Sequence, residues 1–210
     1  MKLTQQNQSP LLYAWLGVYG LILVWSGINP KDTLTWFLEV LPALIALGIL
    51  AYSRNGFPLT PLAYCLILVH CIILMVGGHY TYAEVPLFDT LAEIAGHERN
   101  NYDKIGHLAQ GFIPAIVARE VLIRKKVVNG ALWTNVFAFC ICLAFSAFYE
   151  LIEWWVALVS GQEADAFLGT QGYEWDTQSD MGFAALGALF ALATLSKFHN
   201  RQLEKLRHRK

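Results

Sequence analysis

Charge is what this sequence has least of. Asp, Glu, Lys and Arg make up 15% of its 210 residues, 56% are hydrophobic, and the mean hydropathy is +0.42. A soluble domain carries about 25% charged residues, so the deficit excludes an ordinary soluble domain and places the chain in the membrane class. Cysteine is scarce as well. Cys65, Cys71, Cys140 and Cys142 all lie inside apolar runs and none forms a Cys-x-x-Cys pair. That excludes a zinc ribbon or a disulfide framework and leaves small, reduced packing residues. Gly/Ser linkers, low-complexity tracts and repeats are missing, so a single membrane domain over 1–210 is expected. The opening MKLTQQNQSP is polar with one lysine, and no small-x-small site follows, so it is not read as a cleavable signal. The basic tail has no basic fold behind it, which argues against nucleic acid as a partner.

What the sequence does have is apolar runs of roughly 20 residues, the length that crosses a bilayer. They predict an all-α, polytopic bundle of about six spans, at 11–28, 34–52, 59–78, 104–123, 131–158 and 177–196. Twelve of the fifteen Lys and Arg fall on one side of that arrangement, in the N-terminus, the 53–58 and 119–130 loops and the tail from 197. Only Lys31, Arg99 and Lys104 fall on the other. By the positive-inside rule both termini are expected in the cytoplasm, with 79–103 and 159–176 facing outward from a bacterial inner membrane. The outward loops are acidic, with Glu84, Asp89, Glu93 and Glu98 in one and Glu163, Asp165 and Glu174 in the other. The residues from Glu84 to Glu98 are read as solvated surface.

Ionisable groups inside spans cost a few kcal/mol or more and mark functional sites. Here they gather at one level. Asp103 and His107 open the fourth span, Glu150 and Glu153 lie in the outer part of the fifth, and Asp176 and Asp180 open the sixth. The i,i+4 and i,i+3 spacings put both members of each pair on one side of a helix. Three such helices facing one another would form a pocket of five carboxylates and an imidazole, the way bundle-core metal sites are built. Glu150, Glu153, Asp176 and Asp180 are therefore expected to hold a metal, with Asp103 and His107 as the catalytic pair and Glu39 and His79 as further pocket residues. A carboxylate-rich, thiolate-free set suits Mg²⁺, Mn²⁺ or Ca²⁺, and the histidines admit Zn²⁺. Structural readings stand beside this one. Asp103 and Asp176 also suit helix N-termini, Lys104 either neutralises a neighbouring acid or snorkels outward, and the glycines near His107 and Asp180 serve close packing.

The motifs Tyr-Asp-Lys-x-x-His at 102–107, Tyr-Glu-x-x-Glu-Trp at 149–154 and Asp-Thr-x-x-Asp-Met at 176–181 resemble the YjdF family of bacterial inner-membrane proteins over essentially the whole chain. The resemblance implies a multi-pass inner-membrane location. The layout is more remotely similar to VanZ-like proteins, although 171–185 lacks the arginine and asparagine that flank their final aspartate. Three functions fit the residues. One is a metal-dependent hydrolase or transferase acting on a lipid or lipid-linked substrate. The alternatives are a proton- or cation-coupled transporter, and a non-catalytic binding or resistance protein for an amphiphilic ligand.

Overall fold

A computed structural model describes residues 9–160 and 170–207. Lys2, Glu163, Asp165, Arg209 and Lys210 lie outside them. The described residues form seven helices and no strands: α1 Ser9–Gly27, α2 Thr33–Ser53, α3 Pro61–His79, α4 Pro86–Ala95, α5 Tyr102–Arg124, α6 Ala131–Ser160 and α7 Asp176–Arg207. Local chemistry sets several of these ends. Asp32 caps α2 by accepting from Thr35 N at 2.6 Å, and Thr60 caps α3 with Pro61 at its first turn. Both satisfy amides that a helix start leaves without partners. Five helices, α1, α2, α3, α6 and α7, are long and apolar enough to cross a membrane. The sixth expected span, α5, has the length at 23 residues but carries more charge, because it supplies both polar clusters described below.

α5 is the centre of the bundle. It packs against α7 most extensively, then against α6 and α3, while α1 and α2 pack on α3. Lipid chains are as apolar as leucine, so close van der Waals contact rather than water exclusion holds such helices together. The α5–α7 crossing is built for it. A Cβ added at Gly111 would sit 1.7 Å from the Ala184 carbonyl oxygen, and one at Gly187 would sit 2.0 Å from that of Leu108. Ala115, Ile116, Ala138, Cys142, Ala188 and Leu192 continue this core toward the far end. Tyr19, Val40, Ala43, Cys71 and Met75 join α1, α2 and α3. All four cysteines are free; Cys71 and Cys142 are buried, whereas Cys65 and Cys140 are exposed.

Three features differ from expectation. The 79–103 segment is not a plain loop but contains α4, whose Phe88 packs edge-on against Tyr102 at 5.2 Å between centroids. Its hydrophobic stretch is too short to register as a span. At the other end Arg119, counted with the 119–130 loop, lies within α5 and is buried. Likewise α7 does not stop near 196: it runs to Arg207 and buries His199 and Leu203. α7 outruns its apolar run because His199 there finds a partner inside the bundle.

Candidate functional site

Asp103 and His107 lie one turn apart near the start of α5, with Asp103 Oδ1 3.3 Å from His107 Nε2. The tight α5–α7 crossing brings the start of α7 alongside, so Asp180 Oδ2 lies 3.9 Å from the same nitrogen. Lys104 neither snorkels nor favours Asp103. It is buried, and its Nζ donates to Asp180 Oδ1 at 2.6 Å and to Asp176 Oδ1 at 2.8 Å. Arg99 Nη2 donates to that Asp176 oxygen at 2.5 Å. α6 contributes Glu150, whose Oε1 is 3.9 Å from His107 Nδ1. Glu150 Oε1 and Asp103 Oδ2 are buried without a hydrogen-bond partner.

Charge and lone pairs together define what this arrangement can hold. Among the described residues Asp103, Glu150, Asp176 and Asp180 share two permanent cations, Arg99 and Lys104, so with all four ionised and His107 neutral two negative charges are left over in a place where burying even one is costly. His107 Nδ1 lies 2.9 Å from Gln110 Oε1, an acceptor, so Nδ1 carries the hydrogen and Nε2 of the neutral ring offers a lone pair. That lone pair faces two carboxylate oxygens, an arrangement that requires a cation, a proton or a metal ion, among the three. One oxygen each of Asp103 and Asp180 and one nitrogen of His107 all lie within 4.8 Å of one another. An ion bonded at about 2.0–2.2 Å needs ligand separations of roughly 3–4 Å. The 3.3 and 3.9 Å edges meet that, and a shift of under an ångström closes the third.

The other residues singled out in the sequence divide. Asp176 joins the cluster through its bonds to Arg99 and Lys104 and is already neutralised, which separates it from the converging three. Glu150, Glu153, Asp176 and Thr177 line a cleft of about 170 Å³ between α6 and the start of α7, walled by Trp154 and Ala157. Glu39 stands behind, accepting from Tyr149 Oη at 3.1 Å. His79 lies apart from the converging three: its Nδ1 donates to the Ser26 carbonyl at 3.0 Å and its ring packs on Trp25 and Tyr80, tying α3 to α1.

A frame holds the start of α5 in place. Asn100 donates through Nδ2 to Asp89 Oδ1 at 2.6 Å and to the Val85 carbonyl at 3.0 Å, and its backbone exchanges two 2.9 Å bonds with the Gln171 amide. Tyr173 lays its ring 5.4 Å from Arg99 Cζ and 5.6 Å from Lys104 Nζ, favourable cation–π geometry. Tyr82, in the turn after α3, fills the space left by Gly77 and Gly106. Burial pushes its hydroxyl well above the ordinary tyrosine range, so it stays neutral.

A second polar cluster, at the opposite end of α5, has no counterpart in the sequence reading. Glu120 is fully buried and accepts from Thr60 Oγ1 at 2.7 Å, from Thr60 N, and from Arg124 at 2.6 Å. His199 Nε2 lies 3.1 Å from Glu120 Oε2, and its Nδ1 lies 3.1 Å from Arg119 Nη1. A guanidinium only donates, so Nδ1 is the acceptor and Nε2–H donates to Glu120. The network clasps α3, α5 and α7. Its acid hides within AREVLIRKK, which reads as the start of a basic loop.

Residues 11–201 match the family described as "Predicted membrane protein (DUF2238)". The chain belongs to that family. It is 54% identical over 185 residues, 88% of each chain, to the inner membrane protein YjdF of Escherichia coli (strain K12). No solved structure matches. The YjdF resemblance carried by the three motifs is thus that of a DUF2238 inner-membrane protein, and its bundle is described for residues 9–160 and 170–207.

Proposed function

We propose that this protein is a divalent-cation-dependent hydrolase acting on an ester or phosphoester bond of a membrane lipid, with Asp103, His107 and Asp180 holding the ion. What carries the reading is the imidazole lone pair that faces two carboxylate oxygens within a cluster that has two surplus negative charges. A proton would satisfy the lone pair but offset only one charge; a divalent ion answers both. One imidazole and two carboxylates favour Zn²⁺ or Mn²⁺. Such an ion polarises a substrate oxygen and lowers the pKa of a bound water. Glu150, beside His107 and with Oε1 unpartnered, would accept the proton that the attacking water loses and return it to the leaving oxygen. Lys104 keeps Asp180 in place through its other oxygen.

The acidic end of the bundle faces the periplasm in this reading, since the basic residues concentrate at the opposite end. The Glu120–His199–Arg119 clasp at that opposite end favours a pocket open on one side over a path through the membrane. Metal content of the purified protein tests the proposal. Wild type is expected to carry about one divalent ion per chain, Asp180→Asn and His107→Ala to lose it, and only loaded protein to hydrolyse radiolabelled membrane lipid. Absence of an ion from wild type under metal-replete growth, or retention in both variants, overturns it.

A further inference from the structure

We propose that the cleft between α6 and α7 recognises the ammonium group of an amine-headed membrane lipid, with Glu153 as its counter-charge and Trp154 as its aromatic wall. This deepens the hydrolase reading by naming the substrate's head group. Three observations lead to it. First, the cleft walls contain Glu150, Glu153 and Asp176, and the two cations nearby, Arg99 and Lys104, both bond Asp176, which leaves Glu150 and Glu153 without either of them. Among the described residues Glu153 forms no ion pair, and Glu150 meets only His107, at 3.9 Å. Glu150 is 7% exposed and its Oε1 has no hydrogen-bond partner, so a buried acceptor is left for a donor the chain does not supply.

Second, the chemistry of the wall selects the donor. Two carboxylates repel a phosphate or a carboxylate and attract a cation, and a tryptophan face adds cation–π attraction for an ammonium in particular. Thr170 and Thr177 complete a polar rim without positive charge. Third, size and place agree. At about 170 Å³ the cleft holds the equivalent of about five or six waters, enough for an aminoethyl group but short of the ~300 Å³ typical of pockets that enclose a whole ligand. Trp154 is 55% exposed on a helix long and apolar enough to span the bilayer. The acyl chains therefore remain among lipids while the head group reaches inward.

The test is lipid selectivity in nanodiscs of equal parts phosphatidylethanolamine and phosphatidylglycerol. Lipids retained by the protein are quantified by native mass spectrometry, and metal content is read on the same samples. Wild type is expected to enrich phosphatidylethanolamine at least threefold over the bulk ratio. Glu153→Gln and Trp154→Ala are expected to lose that enrichment while keeping their metal and their melting temperature. Equal retention of both lipids, preference for phosphatidylglycerol, or undiminished enrichment in both variants overturns the proposal. Wild type that enriches the amine lipid yet carries no ion upholds amine recognition and refutes the metal-dependent reading alone.

Discussion

Lys104→Met is the most informative single change, because it removes a cation from between two buried aspartates without altering side-chain length much. In the native protein Nζ contacts Asp176 Oδ1 at 2.8 Å and Asp180 Oδ1 at 2.6 Å, with the lysine and both acids at 8% side-chain exposure or less. Asp176 keeps Arg99 as a partner, whereas Asp180 Oδ1 keeps none. Stripping one partner from a buried pair costs about 3–5 kcal/mol, mostly the penalty of the charge left behind. At 1.4 kcal/mol per tenfold that is a shift of roughly one hundredfold to a few thousandfold in the folding equilibrium. Thermal unfolding in detergent, monitored by circular dichroism, reports it directly. Adding Asp180→Asn removes the stranded charge, so Lys104→Met/Asp180→Asn is expected to recover more than half the loss. Lys31→Met is the control: its pair with Glu84 is about half exposed and worth at most ~1 kcal/mol. If Lys104→Met destabilises no more than Lys31→Met, the cluster is solvated and the charge argument fails.

Gly187→Ala is expected to lower expression and melting temperature sharply, because its Cβ would meet the Leu108 carbonyl at 2.0 Å and rigid backbone cannot yield. Gly182→Ala has nothing within 4 Å and is expected to leave both unchanged. A matched pair of melting curves decides this. Glu120→Ala strips the shared acceptor from Thr60, Arg124 and His199 and is expected to cost about 3–5 kcal/mol, read as early loss of the α5–α7 contact in hydrogen exchange. His79→Ala is expected to leave metal content at the wild-type level while loosening α1, because its ring contacts Trp25 and its Nδ1 holds the Ser26 carbonyl. Elemental analysis beside limited proteolysis separates the two effects.

The three motif pairs are local periodicity, and local periodicity is legible: Asp103 and His107 share a helix face whatever the helix packs on. Which faces meet is not local. Asp180 reaches His107 because Gly111 and Gly187 let α5 and α7 close to backbone contact, whereas Asp176, one turn earlier, falls to Arg99 and Lys104. His79 bonds the Ser26 carbonyl and packs on Trp25 and Tyr80, contacts between α3 and α1 that hydropathy does not reveal. Glu120 escaped notice for another reason. Its neighbours Arg119, Arg124, Lys125 and Lys126 mimic a solvated loop, and only long-range partners, Thr60 and His199, reveal it as interior.

By itself, then, the sequence determined that this chain is a helical membrane protein with most of its basic residues on one side of its spans and acidic pairs gathered on the other. Apolar run length and charge asymmetry act one helix at a time and need no partner to be interpreted. Only the tertiary structure decided which acids are neutralised by lysine and arginine and which oxygen lies beside which nitrogen. Those outcomes depend on distances of a few ångströms between side chains 70 and more positions apart, set by how closely two glycine-bearing helices cross.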